Sequence, residues 1–241
     1  MYACWVLKAI EEMGLKSSIK AIYGVSAGAL TGAYWLSGWK ADEVVQNYLN
    51  SELFNLKNIA LPPTQSLLKR SVVEKLLKKD LKKTFEQLEK PLIVGTTDLR
   101  KGKSVFFESG DLIKPVLWSM SIPGVFAPIE YEKHLLVDGG VTDNFPIDYA
   151  KKQNPNTKTI GILLGKFKTN QKVKNILDTL MVSYEILLRW RLNATINKAD
   201  ILFYRNLSMS PFESNEKKLI QLFDQGYHDG IATFSSLQNN V

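Results

Sequence analysis

The pentapeptide Gly24-Val25-Ser26-Ala27-Gly28 follows the short apolar run ending in Ile22-Tyr23 and leads into small, apolar residues up to Leu36. No other feature constrains the chain as strongly. A Gly-x-Ser-x-Gly at such a junction asks a buried strand to turn sharply into a buried helix, with a serine at the bend. The turn lifts the hydroxyl above the sheet. The helix behind it directs its first amides, beginning with Ala27, and its positive end at any negative charge that develops there. Gly24 and Gly28 are expected where side chains would collide. The plainer alternative is a turn in which Ser26 caps the helix. A nucleophilic serine needs a base within hydrogen-bonding reach, so the rest of the chain discriminates the two.

Helical spacing extends over Tyr2 to Met13, Asp42 to Leu49, Ser66 to Lys83, Leu112 to Met120, Val173 to Ile196 and Glu216 to Phe234, with breaks at Gly14, Leu61-Pro62-Pro63-Thr64 and Ile122-Pro123-Gly124. In the longest of these, Val173, Ile176, Leu177, Leu180, Tyr184, Leu187 and Leu188 align on one face. Strands are predicted at Ile19 to Tyr23, Leu92 to Thr97, Ser104 to Phe107, Leu135 to Val137, Thr159 to Leu164 and Ile201 to Tyr204, the second and third forming a hairpin through Arg100-Lys101-Gly102-Lys103. Alternating strands and helices predict an α/β fold, a three-layer domain with a mainly parallel central sheet. With 45% hydrophobic residues in 241 and no repeat or linker, one domain over 1–241 is expected.

Two histidines are present, His134 and His228. His228 sits between Tyr227 and Asp229 in a helix and reads as solvent-facing, and His134 lies in the charged stretch Glu130-Tyr131-Glu132-Lys133, where a turn role is expected. A histidine-based triad fits poorly. Asp138 is better placed, because it follows a buried strand and precedes Gly139-Gly140, which forces a tight bend at a strand end. Burial beside a serine hydroxyl raises a carboxylate's pKa from about 3.9 and makes it a useful base. The alternative for Asp138-Gly139-Gly140 is a bare turn.

These two motifs, together with Thr97-Asp98-Leu99, the stretch from Ser119 to Phe126 and the run Val137 to Pro146, resemble bacterial members of the patatin-like phospholipase family, in order and approximate spacing over residues 1 to about 150. The resemblance implies a Ser26 nucleophile with Asp138 as its base, a patatin-like α/β fold, and hydrolysis of acyl esters in phospholipids or lysophospholipids without a cofactor. It also implies a glycine-rich loop with a basic residue just before the first helix, supplying most of the oxyanion hole. Met1 begins within what should follow that loop, which leaves the Ala27 amide as the evident donor. A catalytically weakened or inactive lipid-binding or regulatory relative is therefore the alternative. Trp5 stands where the family tends to have a small residue.

The helix SLLKRSVVEKLLKKDLKK, residues 66–83, carries Leu68, Val72, Val73, Leu76 and Leu77 on one face and seven basic residues on the other. It either lies on anionic lipid, giving peripheral membrane contact, or packs on the domain with its lysines in water. The net charge of +7 favours anionic partners. Nucleic acid is not expected, since the lysines are not interleaved with aromatics. Cys4, the one cysteine, supports neither a disulfide nor a zinc site, so a cytoplasmic location and no metal are expected. Oligomeric state and head-group preference stay open.

Overall fold

The computed structural model of the chain describes residues 2–50, 70–124, 126–165, 173–206 and 216–238. In chain order these form α1 (Tyr2–Glu12), β1 (Ile22–Val25), α2 (Ala27–Leu36), α3 (Ala41–Asn50), α4 (Arg70–Asp80), β2 (Leu92–Asp98), β3 (Lys103–Phe107), α5 (Ile113–Ser119), β4 (Ile129–Tyr131), β5 (His134–Asp138), α6 (Ile147–Gln153), β6 (Ile160–Gly165), α7 (Ile176–Thr195), β7 (Ile201–Asn206) and α8 (Glu216–Gln238). The predicted hairpin forms as β2 and β3, antiparallel from Val94↔Phe107 to Asp98↔Lys103. The short β4 and α6 were not predicted; β4 has three residues, too few for a clear period.

Strand β2 is buried at all seven positions and organises the sheet. One of its edges carries β3. The other is shared end to end, with β1 parallel along Leu92 to Gly95 and β5 antiparallel along Thr96 to Asp98. Because the two strands run in opposite directions, their C-terminal ends meet at the Gly95-Thr96 step. Strand β4 continues the sheet beyond β5, and β6 pairs in parallel with β7. The fold is α/β, with a five-stranded mixed sheet in which β1 with β2 is parallel and the other three pairings are antiparallel, and a separate parallel pair of β6 with β7.

Helices cover both faces. On β6, Ile160 and Ile162 join the main core with α1, α2, α4 and α5, while Leu163 faces Phe145, Ile147 and Leu192 of α7, the alternation a strand between two helix layers requires. Trp5 is accommodated because α8 presents Gly226, where an added Cβ would lie 3.1 Å from the Trp5 Cβ, and Gly230, where it would lie 2.7 Å from that of Ala9. Two glycines one turn apart let α1 and α8 approach closely.

Two helices use their faces differently from one another. In α4, Val73 and Leu77 are buried, Leu76 packs against the same core, and Lys75, Lys78 and Lys79 are exposed. Its apolar face is therefore covered by the domain. Residues 66–69 of the basic stretch lie outside the described residues. The apolar residues of α7 do not share one buried face: Leu192 is buried and Tyr184 and Leu188 are half-buried, but Ile176, Leu180 and Leu187 are exposed. Leu192 and Tyr184 are eight residues apart, close to two turns, and that line sets the inward side.

Candidate active site

At the end of β1 the backbone of Ser26 has φ 52° and ψ −123°, and Ser26 and Glu132 are the non-glycine residues with positive φ among the described residues. A serine held in this sparsely populated region stores strain of about 1–3 kcal/mol, and it persists because the neighbours over-determine it. At Gly24 an added Cβ would lie 2.6 Å from the Ala29 Cα and 2.7 Å from its nitrogen, so α2 can fold back on β1 only over a glycine. Gly28 is different. A Cβ there meets nothing within 4 Å, which corrects the expectation that both motif glycines avoid collisions. The Ser26 amide donates to Ser119 Oγ at 2.7 Å, and Ser119 Oγ donates to the Gly95 carbonyl at 2.7 Å. Ser119 is fully buried and ties the elbow to β2 from the end of α5.

Asp138, the last residue of β5, is paired with Thr96 one step beyond the Val25↔Gly95 pair. The end-to-end meeting of β1 and β5 thus carries Ser26 and Asp138 together. Gly95 and Gly139 make it sterically possible: a Cβ on Gly139 would stand 2.4 Å from the Gly95 carbonyl oxygen and 3.0 Å from Val25 Cγ1. The Asp138 carboxylate is buried and accepts a hydrogen bond from the Gly140 amide at 2.8 Å. Burial raises its pKa to about 6, with the nearby Ser26 side chain and the Gly140 amide opposing the rise. Thr97 Oγ1 donates to the Gly139 carbonyl at 3.2 Å and accepts from the Thr142 amide at 3.1 Å, fixing the turn after Asp138.

The remaining expected residues fall around this pair. Ala27 is exposed and opens α2, its amide the first at the positive helix end. Gly140 sits so tightly that an added Cβ would lie 3.1 Å from both Asp138 Oδ1 and the Tyr184 hydroxyl and 3.3 Å from Asn144 Oδ1. Tyr184 comes from α7, and burial, then the Asp138 charge, raises its pKa. Neither histidine serves the serine. His134 Nδ1 lies 2.8 Å from the buried Asp98 carboxylate, which also accepts from the Leu135 and Arg100 amides; burial pushes Asp98 up, but these partners outweigh it and hold it low. His228 is exposed on α8 against the Tyr227 ring. Among the described residues no group of three or more His, Cys, Asp or Glu side chains is arranged to hold a metal.

Ser119, Thr97 and Asn144 lie within the sequence motifs without a role assigned to them, and no motif points to Gly95 or to the position of Tyr184 over the turn. Ser119 is 93 residues from the elbow it anchors, so local pattern carries no sign of the contact.

Residues 1–151 match the family model described as patatin-like phospholipase. The chain is 31% identical over 145 residues to an uncharacterised NTE family protein of Mycobacterium tuberculosis, covering 59% of this chain and 39% of that protein. It is 31% identical over 156 residues to the neuropathy target esterase sws of Drosophila melanogaster, covering 59% of this chain and 10% of that one. In three dimensions it is similar to the crystal structure of VipD from Legionella pneumophila, with a TM-score of 0.56 and 12% identity over 97% of this chain and 64% of the other, a likeness of fold. The chain therefore spans less than two thirds of the length of each of these proteins. Ser26 and Asp138 both lie inside the matched segment.

Proposed function

The chain belongs to the patatin-like phospholipase family, and from that premise we propose that it is a serine acyl hydrolase that cleaves acyl esters of phospholipids or lysophospholipids with Ser26 and Asp138. The observation that carries the reading is the end-to-end meeting of β1 and β5, which sets the strained Ser26 beside a buried Asp138 whose pKa is about 6. A carboxylate of that pKa is ionised at neutral pH yet basic enough to accept the serine proton as attack begins. Ser26 Oγ adds to the acyl carbonyl while Asp138 takes its proton; the Ala27 amide and the positive end of α2 face the developing oxyanion. Collapse expels the alcohol, which receives the proton from Asp138, and leaves an acyl ester on Ser26. Asp138 then deprotonates a water that attacks the acyl-enzyme, and the proton returns to Ser26. Neither step calls for a metal or an organic cofactor.

The test compares the chain with Ser26→Ala and Asp138→Asn on a soluble short-chain aryl ester and on a lysophospholipid. Each variant is expected to lose about 10³-fold or more in kcat/KM, and the double variant little beyond either, because the two groups act as a unit. Equal rates for all the proteins would overturn the assignment.

A further inference from the structure

We infer that the outward face of α7 is a lipid-contact surface that seats the Ser26 and Asp138 pair on an anionic bilayer. The inference rests on the acyl-hydrolase reading and adds where the substrate is met. Helix α7 is fixed over the site from its inner side: Leu192 is buried, the Tyr184 hydroxyl stands at Gly140, and Arg191 donates to the Val141 carbonyl at 3.0 Å. Its outer side carries Ile176, Leu180, Leu187 and Trp190, with exposures of 80%, 62%, 68% and 78%. Intervals of four, seven and three residues put them on one stripe, about 21 Å long at 1.5 Å per residue. A helix packed on one face ordinarily presents polar residues on the other. Here the outer side carries large apolar residues instead.

Lipid is the occupant this chemistry fits. The positions that complete the stripe at helical spacing are Ser183 and Ala194, and the helix's acidic residues, Asp178 and Glu185, fall on the opposite arc. The chain as a whole carries +7. A tryptophan and leucine face free of carboxylates, on a chain of net positive charge, is the composition of an interfacial helix. The location fits too: the stripe is on the order of one helix diameter, about 10 Å, from the residue touching Gly140, so an ester drawn from a bilayer under α7 has a short path to Ser26. Helix α4 has no such face, because Val73 and Leu77 are buried in the domain.

Binding is measured by sedimentation with vesicles of phosphatidylcholine mixed with phosphatidylglycerol, using Ser26→Ala protein so that no substrate is consumed. Adding Leu180→Ser, Leu187→Ser and Trp190→Ser together is expected to weaken vesicle binding by about tenfold or more, since three exposed apolar anchors are removed, with the unfolding temperature kept. In the Ser26 chain the same three changes lower the rate on vesicles by a similar factor and leave the rate on a soluble short-chain ester within about twofold. Unchanged vesicle binding overturns the inference, as does a parent protein that ignores vesicles and dimerises through this stripe. Stripe-dependent binding by a chain that hydrolyses no ester upholds the contact and removes the hydrolase reading instead.

Discussion

Asp138 holds its charge at a cost to stability. Its pKa of about 6 in the fold, against an ordinary 3.8, means that between roughly pH 4 and pH 6 the native chain binds a proton the unfolded chain has lost. Stability from this group is therefore complete below about pH 4, falls as pH rises through that window, and is lowest above pH 6, by at most about 3 kcal/mol. Asp138→Asn is expected to be more stable than the parent at pH 8, by about 1–3 kcal/mol in urea titrations, with the difference vanishing near pH 4. Activity runs the opposite way, kcat/KM rising with pH to a plateau above about 6. The two motif glycines divide likewise. Gly24→Ala forces a Cβ onto the Ala29 backbone and is expected to cost 3 kcal/mol or more, on the order of a buried backbone clash. Gly28→Ala enters open space and leaves the unfolding free energy within about 1 kcal/mol. Urea titration of both variants separates these outcomes; equal losses would contradict the geometry. Ser26 and Asp138 were legible because flanking glycines mark bends in any context. Ser119 and Tyr184 were not, because their roles arise only when α5 and α7 pack beside the turn.

Among the elements, the strands were legible where apolar runs met turn residues, as in the β2 and β3 hairpin around Gly102, whose φ of 61° suits a glycine. Strand direction was not legible. A buried strand reads alike in parallel and antiparallel pairing, so nothing in His134 to Asp138 foretold that β5 would run against β2 and meet β1 end to end. Helix faces divide in the same way. The period of α4 correctly gives an apolar stripe, and whether protein or lipid covers it is a tertiary fact, answered by the burial of Val73 and Leu77. Leu77→Ala is therefore expected to cost about 2–5 kcal/mol, while Lys75→Gln, at an exposed position, changes stability by about 0.5 kcal/mol or less. Thermal or urea unfolding checks both, and a small loss at Leu77 would contradict the packing. In α7 the apolar residues are too numerous for one face, and the sequence alone could not tell which of two lines turns inward.

Across the whole molecule, the site lies where three separate stretches converge: the elbow near residue 26, the β2 step at residues 95–96 and the turn at residues 138–140. The family match over residues 1–151 spans all three. Residues 160–206 add β6, β7 and α7, and of these α7 supplies Tyr184 to the site and the exposed stripe to the surface. Leu192 and Arg191 fasten α7 to the part of the chain that holds the proposed dyad, which places the proposed lipid-contact stripe beside it. The net positive charge is a property of the molecule as a whole, and it predicts that vesicle binding weakens as salt shortens the Debye length from about 10 Å at 0.1 M.

The central claim is that Ser26 is a nucleophile made reactive by Asp138. A fluorophosphonate that phosphonylates activated serines tests it in one measurement, with the labelled residue identified by mass spectrometry of the digested protein. The account predicts one label per chain on the peptide containing Ser26, at a rate that falls as pH drops through about 6 and that drops by about 10³-fold in Asp138→Asn. A label on another residue, no label at all, or a Ser26 label whose rate is indifferent to Asp138→Asn would contradict it.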